Sequence, residues 1–471
     1  MKVVHIASEI SPIAKVGGLA DVVYGLCHAC SEKGHEVCVI IPAYADLKKS
    51  FFTINKENFI EISEDFQFRY FKKKFKDFTV YGIDFLKPIF DREFIYGGPD
   101  EIKFFLYFSK AAAFLAQKLE PEIIHGHDWQ ASFALFELKR TKSPIKSLLT
   151  LHNLQYQGKL QSEELLKVGL NFPVASWMLD PHDHNLANLL KIGIESADRI
   201  TTVSKSYHHE VLEGENAFGL DKILLIHRHK FLGILNGIDT EFFNPYKDKH
   251  IDHLFPKKAQ TDFRALKSAK QHNLESLLTA HNKPCDERFT LCSVTRLADQ
   301  KSPFLILYAL KKVVDMGGRF ILVGSLHGSL HDQEIIDFLK EYEDHPYVIA
   351  ELNTNLSMAH KTYAASDALI VPSLFEPCGL TQMIAFRYGA VPLVRLTGGL
   401  KDTVFDVDTS DVIEDKRNGF TFDYPDTGGI DWVIDRAFKL YKDNQDSYYS
   451  LATKNLLIDH SWEKSSEAYL E

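Results

Sequence analysis

Several short stretches of this 471-residue chain combine residue types that do chemistry. Lys15-Val16-Gly17-Gly18-Leu19-Ala20-Asp21-Val22 follows an apolar β-branched run and opens a helical pattern that ends near Glu32-Lys33-Gly34. Paired glycines let backbone N–H groups approach an anion closely, the helix N-terminus adds favourable partial charge, and Lys15 adds a full one. That is the chemistry of a phosphate receiver. The stretch is neither a Walker loop nor a G-x-G-x-x-G fingerprint, so a plain structural turn fits it equally well. Gly398-Gly399-Leu400-Lys401-Asp402 has matching spacing, and because it follows a late strand it reads as convergent turn chemistry rather than a repeat.

Two further stretches belong to the second half. In Val294-Thr295-Arg296-Leu297-Ala298-Asp299-Gln300-Lys301, Arg296 offers a planar fork and Lys301 a point charge, and together they can neutralise a diphosphate without a metal. Two solvated surface cations are the competing reading. In Glu376-Pro377-Cys378-Gly379-Leu380-Thr381-Gln382, the N–H groups of Gly379, Leu380 and Thr381 stand at a helix start, ready for an oxyanion or a sugar hydroxyl. Glu376 can meet hydroxyls or a developing positive sugar centre, or simply cap the helix.

His125-Gly126-His127-Asp128-Trp129 and Leu151-His152-Asn153-Leu154-Gln155-Tyr156-Gln157-Gly158 mix imidazole, amide, ring and carboxylate, a combination suited to sugars. Metal binding is the rival for His125 with His127 and for His182-Asp183-His184, but no complete ligand set appears, and no metal is expected. Asp406-Val407-Asp408 resembles a metal-diphosphate clamp by coincidence of letters. Cys27-His28-Ala29-Cys30 has redox spacing inside a helical pattern, where two packing thiols are the simpler reading.

The elements that must position these residues are short β-branched runs alternating with longer helical patterns, the signature of parallel sheets with crossover helices. Strands are expected at Val3–Ala7, Glu36–Ile41, Ile123–His125, Ser147–Leu151, Arg199–Val203 and Phe231–Leu235. The alternation restarts at Phe289–Val294, Phe320–Val323, Tyr347–Ala350, Ala368–Val371 and Val391–Val394. Phe51–Phe94 alternates like antiparallel strands and reads as an insertion at a sheet edge. The expected organisation is α/β, with two doubly wound Rossmann-like domains facing a central cleft. They span residues 1–240 and 241–452, and a terminal segment, 453–471, packs back as helix on the first. In such sheets ligands bind beyond the carboxyl ends of the strands, and the motifs follow strands.

A composition of 45% hydrophobic and 25% charged residues is that of a folded globular chain. The net charge of −10 argues against a general role on nucleic acid or anionic membrane. The N-terminus lacks the charged head, apolar core and cleavage site of a secretory signal, no stretch approaches the ~18–20 apolar residues of a membrane span, and a cytoplasmic location is expected.

Taken together and in order, the motifs resemble those of the glycogen and starch synthase family, bacterial members in particular, over essentially the whole length. They are K-x-G-G-L-A-D at Lys15–Asp21, H-D-W at His127–Trp129, H-N-L-x-Y-Q-G at His152–Gly158 and N-G-I-D at Asn236–Asp239. R-L-x-x-Q-K at Arg296–Lys301, E-P-C-G-L-T-Q at Glu376–Gln382, Thr397-Gly398-Gly399-Leu400 and Ser461-Trp462 complete the series. The resemblance implies the GT-B glycosyltransferase fold. It also implies transfer of glucose from ADP-glucose, with retention of configuration, to the non-reducing end of an α-1,4-glucan such as glycogen, without a cofactor. By the same resemblance Lys15, Gly17 and Gly18 meet the donor, Arg296 and Lys301 hold its phosphates, and Glu376 with Cys378, Gly379, Leu380 and Thr381 holds the transferred sugar. Asp21, His152, Asn153 and Asn236 line the glucose and acceptor region, with Asp128, Trp129 and Tyr96 as further sugar contacts. Val16 stands where threonine is common, and Thr354 where the family often carries a tyrosine for the adenine ring. A same-fold transferase using UDP-glucose and an inactive glucan-binding protein are the alternatives. For the second, degeneration would first erase Lys15, Asp21, Arg296, Lys301 and Glu376, and all are present.

Overall fold

The computed structural model describes residues 1–52, 58–63, 66–85, 92–170, 173–326, 328–353 and 355–471. The chain divides into two compact units, Met1–Gly237 with Trp462–Glu471, and Ile238–Ser461.

In the first unit the strands run, in chain order, β1 (Lys2–Ile6), β2 (Glu36–Pro42), β3 (Asn58–Ser63), β4 (Phe66–Phe75), β5 (Phe78–Phe85), β6 (Ile123–His127) and β7 (Lys146–Leu151). They continue with a small antiparallel pair, β8 (Lys159–Gln161) and β9 (Leu186–Asn188), then β10 (Arg199–Thr202) and β11 (Phe231–Gly233). The main sheet has the order β11-β10-β7-β6-β1-β2-β5-β4-β3. It is parallel from β11 to β5, because its strands are apolar on both faces and are joined by crossover helices. β4 and β3 extend it antiparallel from β5. Phe66 and Phe68 bury their rings on one face, Phe66 stacking on Tyr107 at 5.5 Å, and Phe71 is buried on the other, 5.6 Å from Phe52, while Lys72 and Lys74 toward the far end are exposed.

The helix Gly18–Glu32 follows β1 with Asp21 in its first turn, where a carboxylate meets the positive end of the helix dipole. Lys33 and Gly34 stop it: Gly34 sits at φ +85°, and Lys33 N–H closes on Ala29 O. Trp462, in the closing helix Trp462–Leu470, is buried against this helix, and Gly25 makes room for its ring.

In the second unit β12 (Thr290–Leu297), β13 (Arg319–Leu326), β14 (Val348–Glu351), β15 (Ala368–Val371), β16 (Val391–Arg395) and β17 (Phe420–Phe422) form one parallel sheet ordered β14-β13-β12-β15-β16-β17. Both sheets reverse direction beside their first strand, at β1/β6 and at β12/β15. These are the topological switch points, where loops diverge and leave a hollow at the carboxyl ends of the strands.

Residues 453–461 belong to the second unit rather than to the returning helix, which begins at Trp462. The preceding helix, Gln445–Asn455, is tied there by Tyr448 and Tyr449, whose hydroxyls donate to Asp367 O (3.0 Å) and Oδ1 (2.7 Å), and by Asn455 Nδ2 to Asn418 O (2.8 Å). The short strand β17 was not legible in the sequence. Cys27 and Cys30 are both buried in the first helix, and burial pushes the Cys30 thiol up to about 11, which makes them packing thiols. Among the described residues no helix is long and apolar enough to cross a membrane.

A Cβ added at Gly25 would lie 2.0 Å from the indole of Trp462. Gly25→Ala is therefore expected to cost about 1–3 kcal/mol of overpacking, read as a lower urea midpoint with earlier proteolysis of the closing helix. An unchanged midpoint would contradict this packing.

Candidate active site

The first switch point is built around Glu9, a buried glutamate just past β1. Its Oε2 accepts the N–H groups of Val16 (2.7 Å) and Gly17 (3.0 Å), and its Oε1 accepts the Tyr96 hydroxyl (2.7 Å). Tyr96 also pairs with Ser8 Oγ (2.8 Å), and Tyr44 donates to Ser8 O (2.6 Å). A carboxylate taking two adjacent N–H groups holds the glycine turn as a bound anion would. The expectation for Gly17 is thereby corrected: its N–H is spent on Glu9, and the first-turn donors left to a ligand begin at Gly18. Lys15 Nζ bonds both Asp21 oxygens, at 2.7 and 2.8 Å.

Two expected sugar contacts are corrected as well. The Tyr96 ring packs on Phe105 at 6.3 Å with its hydroxyl committed to Glu9 and Ser8, so it supports the turn rather than offering a stacking face. Trp129 is a core residue, edge-on to Phe105 at 5.4 Å and covered by Gly158, where an added Cβ would lie 2.3 Å from the indole.

Asp128 follows β6 at φ +56°, a conformation aspartate tolerates better than most residues, and its Oδ1 accepts the His152 N–H at 2.7 Å. Burial pushes its carboxyl up to about 7, against the opposing effect of the His152 and Asn153 backbone bonds. Asn153 turns its own loop, Oδ1 accepting Gln155 N–H at 3.0 Å, and Asn236 is buried with Oδ1 bonded to no described group.

His152 ends a chain of imidazoles. His5 Nδ1 lies 3.1 Å from His127 Nε2, and His127 Nδ1 lies 3.0 Å from His152 Nε2. Burial lowers His5 and His152 to about 3 and His125 and His127 well below their ordinary value, so all four are neutral at neutral pH. Among the described residues His5, His125 and His127 bring ligand atoms within 4.8 Å of one another; His5 Nδ1 and both His127 nitrogens are engaged in the chain and His125 Nε2 lies 2.6 Å from Thr150 Oγ1, while His5 Nε2 bonds no described group. His182–His184 lie apart and exposed in the loop before β9.

The second switch point carries a second buried glutamate. Glu376 Oε2 accepts from Lys301 Nζ and from Ser373 Oγ (2.9 Å), and its backbone O accepts the Gly399 N–H at 3.0 Å. The two glycines after β16 serve this approach: an added Cβ would lie 2.0 Å from Glu376 O at Gly398 and 2.2 Å from Cys378 O at Gly399. Gly379, at φ +74°, turns the loop, and Gln382 Nε2 gathers Cys378 O (3.2 Å) and Gly379 O (2.9 Å). Leu380 and Thr381 open the short helix Thr381–Arg387. Arg296, near the carboxyl end of β12, forms no ion pair or side-chain hydrogen bond with any described residue. Asp406 and Asp408 are both held by the Arg436 guanidinium, at 2.5 and 2.6 Å, and are structural. Thr354 lies outside the described residues.

Glu9 and Ser373 were missed in the sequence; the one signal was the position of Glu9 in the polar turn directly after the first strand.

Residues 2–225 match the starch synthase catalytic domain. The chain is 39% identical to the glycogen synthase of Protochlamydia amoebophila, over all of this chain and 98% of that protein. The catalytic domain of starch synthase IV from Arabidopsis thaliana, solved bound to ADP and acarbose, superposes with a TM-score of 0.90 at 34% identity, covering 99% of this chain and 97% of that one. The sucrose-phosphate synthase of Thermosynechococcus elongatus shares the fold alone, with a TM-score of 0.62 at 16% identity over 99% and 97% of the two chains. The architecture is therefore that of the GT-B glycosyltransferases. Within that class, the chain belongs to the glycogen and starch synthase family.

Removal of Glu9 tests how the glycine turn of the first unit is held. Glu9→Ala leaves the Val16 and Gly17 N–H groups and the Tyr96 hydroxyl without their acceptor, and is expected to cost about 3 kcal/mol in denaturant unfolding. Glu9→Gln keeps an oxygen and should recover most of the loss. Equal stability of Glu9→Ala and the parent would show that the turn holds itself.

Proposed function

We propose that the protein elongates an α-1,4-glucan, moving glucose from ADP-glucose to its non-reducing end with retention of configuration. The observation that carries this reading is the group at the carboxyl ends of β12 and β15: Arg296, paired with no described residue, and the Lys301–Glu376–Ser373 cluster, at a switch point where a doubly wound sheet takes nucleotides. The likeness to a starch synthase solved bound to ADP supports adenine as the base.

On this reading Arg296 forks onto the diphosphate and Lys301 adds a point charge, stabilising the negative charge that grows as the glycosidic C–O bond breaks. On this reading the two cations do the work that a metal does in other transferases, so no metal or cofactor is needed. Lys15 and the N–H groups from Gly18 onward also meet the donor, while Asp21, His152, Asn153 and Asn236 contact the glucose and the acceptor. Glu376, held by Lys301 and Ser373, faces sugar hydroxyls and the positive charge developing at the anomeric carbon. It is a stabiliser, and the acceptor hydroxyl attacks from the face the diphosphate leaves. Cys378, Gly379, Leu380 and Thr381 supply the backbone around the transferred sugar.

The test is nucleotide release from ADP-glucose or UDP-glucose in the presence of glycogen and a chelator. ADP-glucose should turn over faster, and Glu376→Ala should reduce the rate by at least ~100-fold with its melting transition retained. Faster turnover with UDP-glucose would overturn the donor assignment, arrest by the chelator the metal-free chemistry, and near-normal activity of Glu376→Ala the role of that residue.

A further inference from the structure

The histidine chain crosses the switch point of the first unit. His5 lies on β1, His127 ends the adjacent β6, and His152 follows β7 directly. Two members are buried, and the third, His152, is half-buried, with Nε2 turned to His127 and Nδ1 bonded to no described residue. His125 flanks the chain, its ring 4.9 Å from His5 and 4.2 Å from His127, but it bonds Thr150 and takes no part in the run of hydrogen bonds.

Each neutral imidazole has one N–H and one lone pair, so such a chain has only two consistent proton arrangements. In one, every proton points toward His152; in the other, every proton points toward His5. His5 Nε2 decides between them, because it is buried and bonds no described group. Protons pointing toward His5 would leave an orphaned N–H there, whereas the opposite sense leaves only an unused lone pair, and buried orphaned N–H groups are the rarer of the two. His5 Nδ1 then donates to His127 Nε2, and His127 Nδ1 donates to His152 Nε2. His152, neutral, must carry its own proton on Nδ1.

We propose that His5 and His127 are positioning residues that lock His152 in the Nδ1-protonated tautomer, so that it presents an N–H donor to a sugar oxygen. The role of the donor rests on the glucosyl-transfer reading; the tautomer does not. A ring free to choose its tautomer would offer a lone pair part of the time, and a hydroxyl acceptor would lose its hydrogen bond.

The experiment uses the full-length protein labelled with ¹⁵N-histidine, in the parent, His5→Phe and His5→Asn. Asparagine places an amide donor near the position of imidazole Nδ1, while phenylalanine fills the space without one. The parent spectrum should show His152 protonated on Nδ1 and bare on Nε2. His5→Phe should give mixed tautomers and a kcat about tenfold lower with a nearly unchanged KM for the glucan, and His5→Asn should restore both. A parent His152 protonated on Nε2 overturns the proposal even if no variant folds. So does a folded His5→Phe with the parent's His152 signals, whatever its activity. Absence of turnover by the parent with ADP-glucose would instead count against the glucosyl-transfer reading, leaving the spectrum to judge the chain.

Discussion

A doubly wound sheet has one place where successive loops depart toward opposite faces, and whatever lines that place must hold its shape without a covering helix. Both units of this protein meet the constraint with a buried carboxylate. Glu9, beside β1, fastens the glycine turn through two N–H groups and a tyrosine hydroxyl. Glu376, beyond β15, is fastened by a lysine from the loop after β12 and by Ser373. The same residue type does opposite jobs. Glu9 is enclosed and organises backbone, while Glu376 is itself organised.

Hydrogen-bond bookkeeping explains why each arrangement persists. A buried carboxylate without partners would be strongly destabilising, and each of these has at least two donors. The close passage of the Gly398–Gly399 backbone over Glu376 O and Cys378 O adds a further requirement, that two side chains be absent. At the first unit the chain of neutral imidazoles plays a similar part: burial removes their charge and leaves direction, rather than strength, as what the hydrogen bonds convey.

Much of this was legible in the sequence. The strand runs at Val3, Glu36, Ile123 and Ala368 are dense in β-branched residues, and motifs directly after them had to sit at carboxyl ends. The antiparallel edge at Phe66–Phe75 showed in its alternation. What escaped depends on partners far apart in the chain. Glu9 gains its role from Tyr96, and Tyr96 and Trp129 looked like sugar platforms because an aromatic beside polar residues carries no mark of which way it turns. Gly17 was read as an anion donor, but its N–H goes to Glu9, and Gly398 was read as turn chemistry, although glycine serves equally where two backbones must nearly touch, as here over Glu376 O. The triplet Phe420–Phe422 was too short to show a period.

The central claim, that the chain extends a glucan one α-linked glucose at a time, is tested most directly by the product. Maltooligosaccharide of a single length, incubated with ADP-[¹³C]glucose, should yield a mass ladder of successive single-hexose additions. The anomeric signals of the labelled residues should report α-linkage at the non-reducing end. Label recovered only as free glucose, or in β-linked product, would contradict the account.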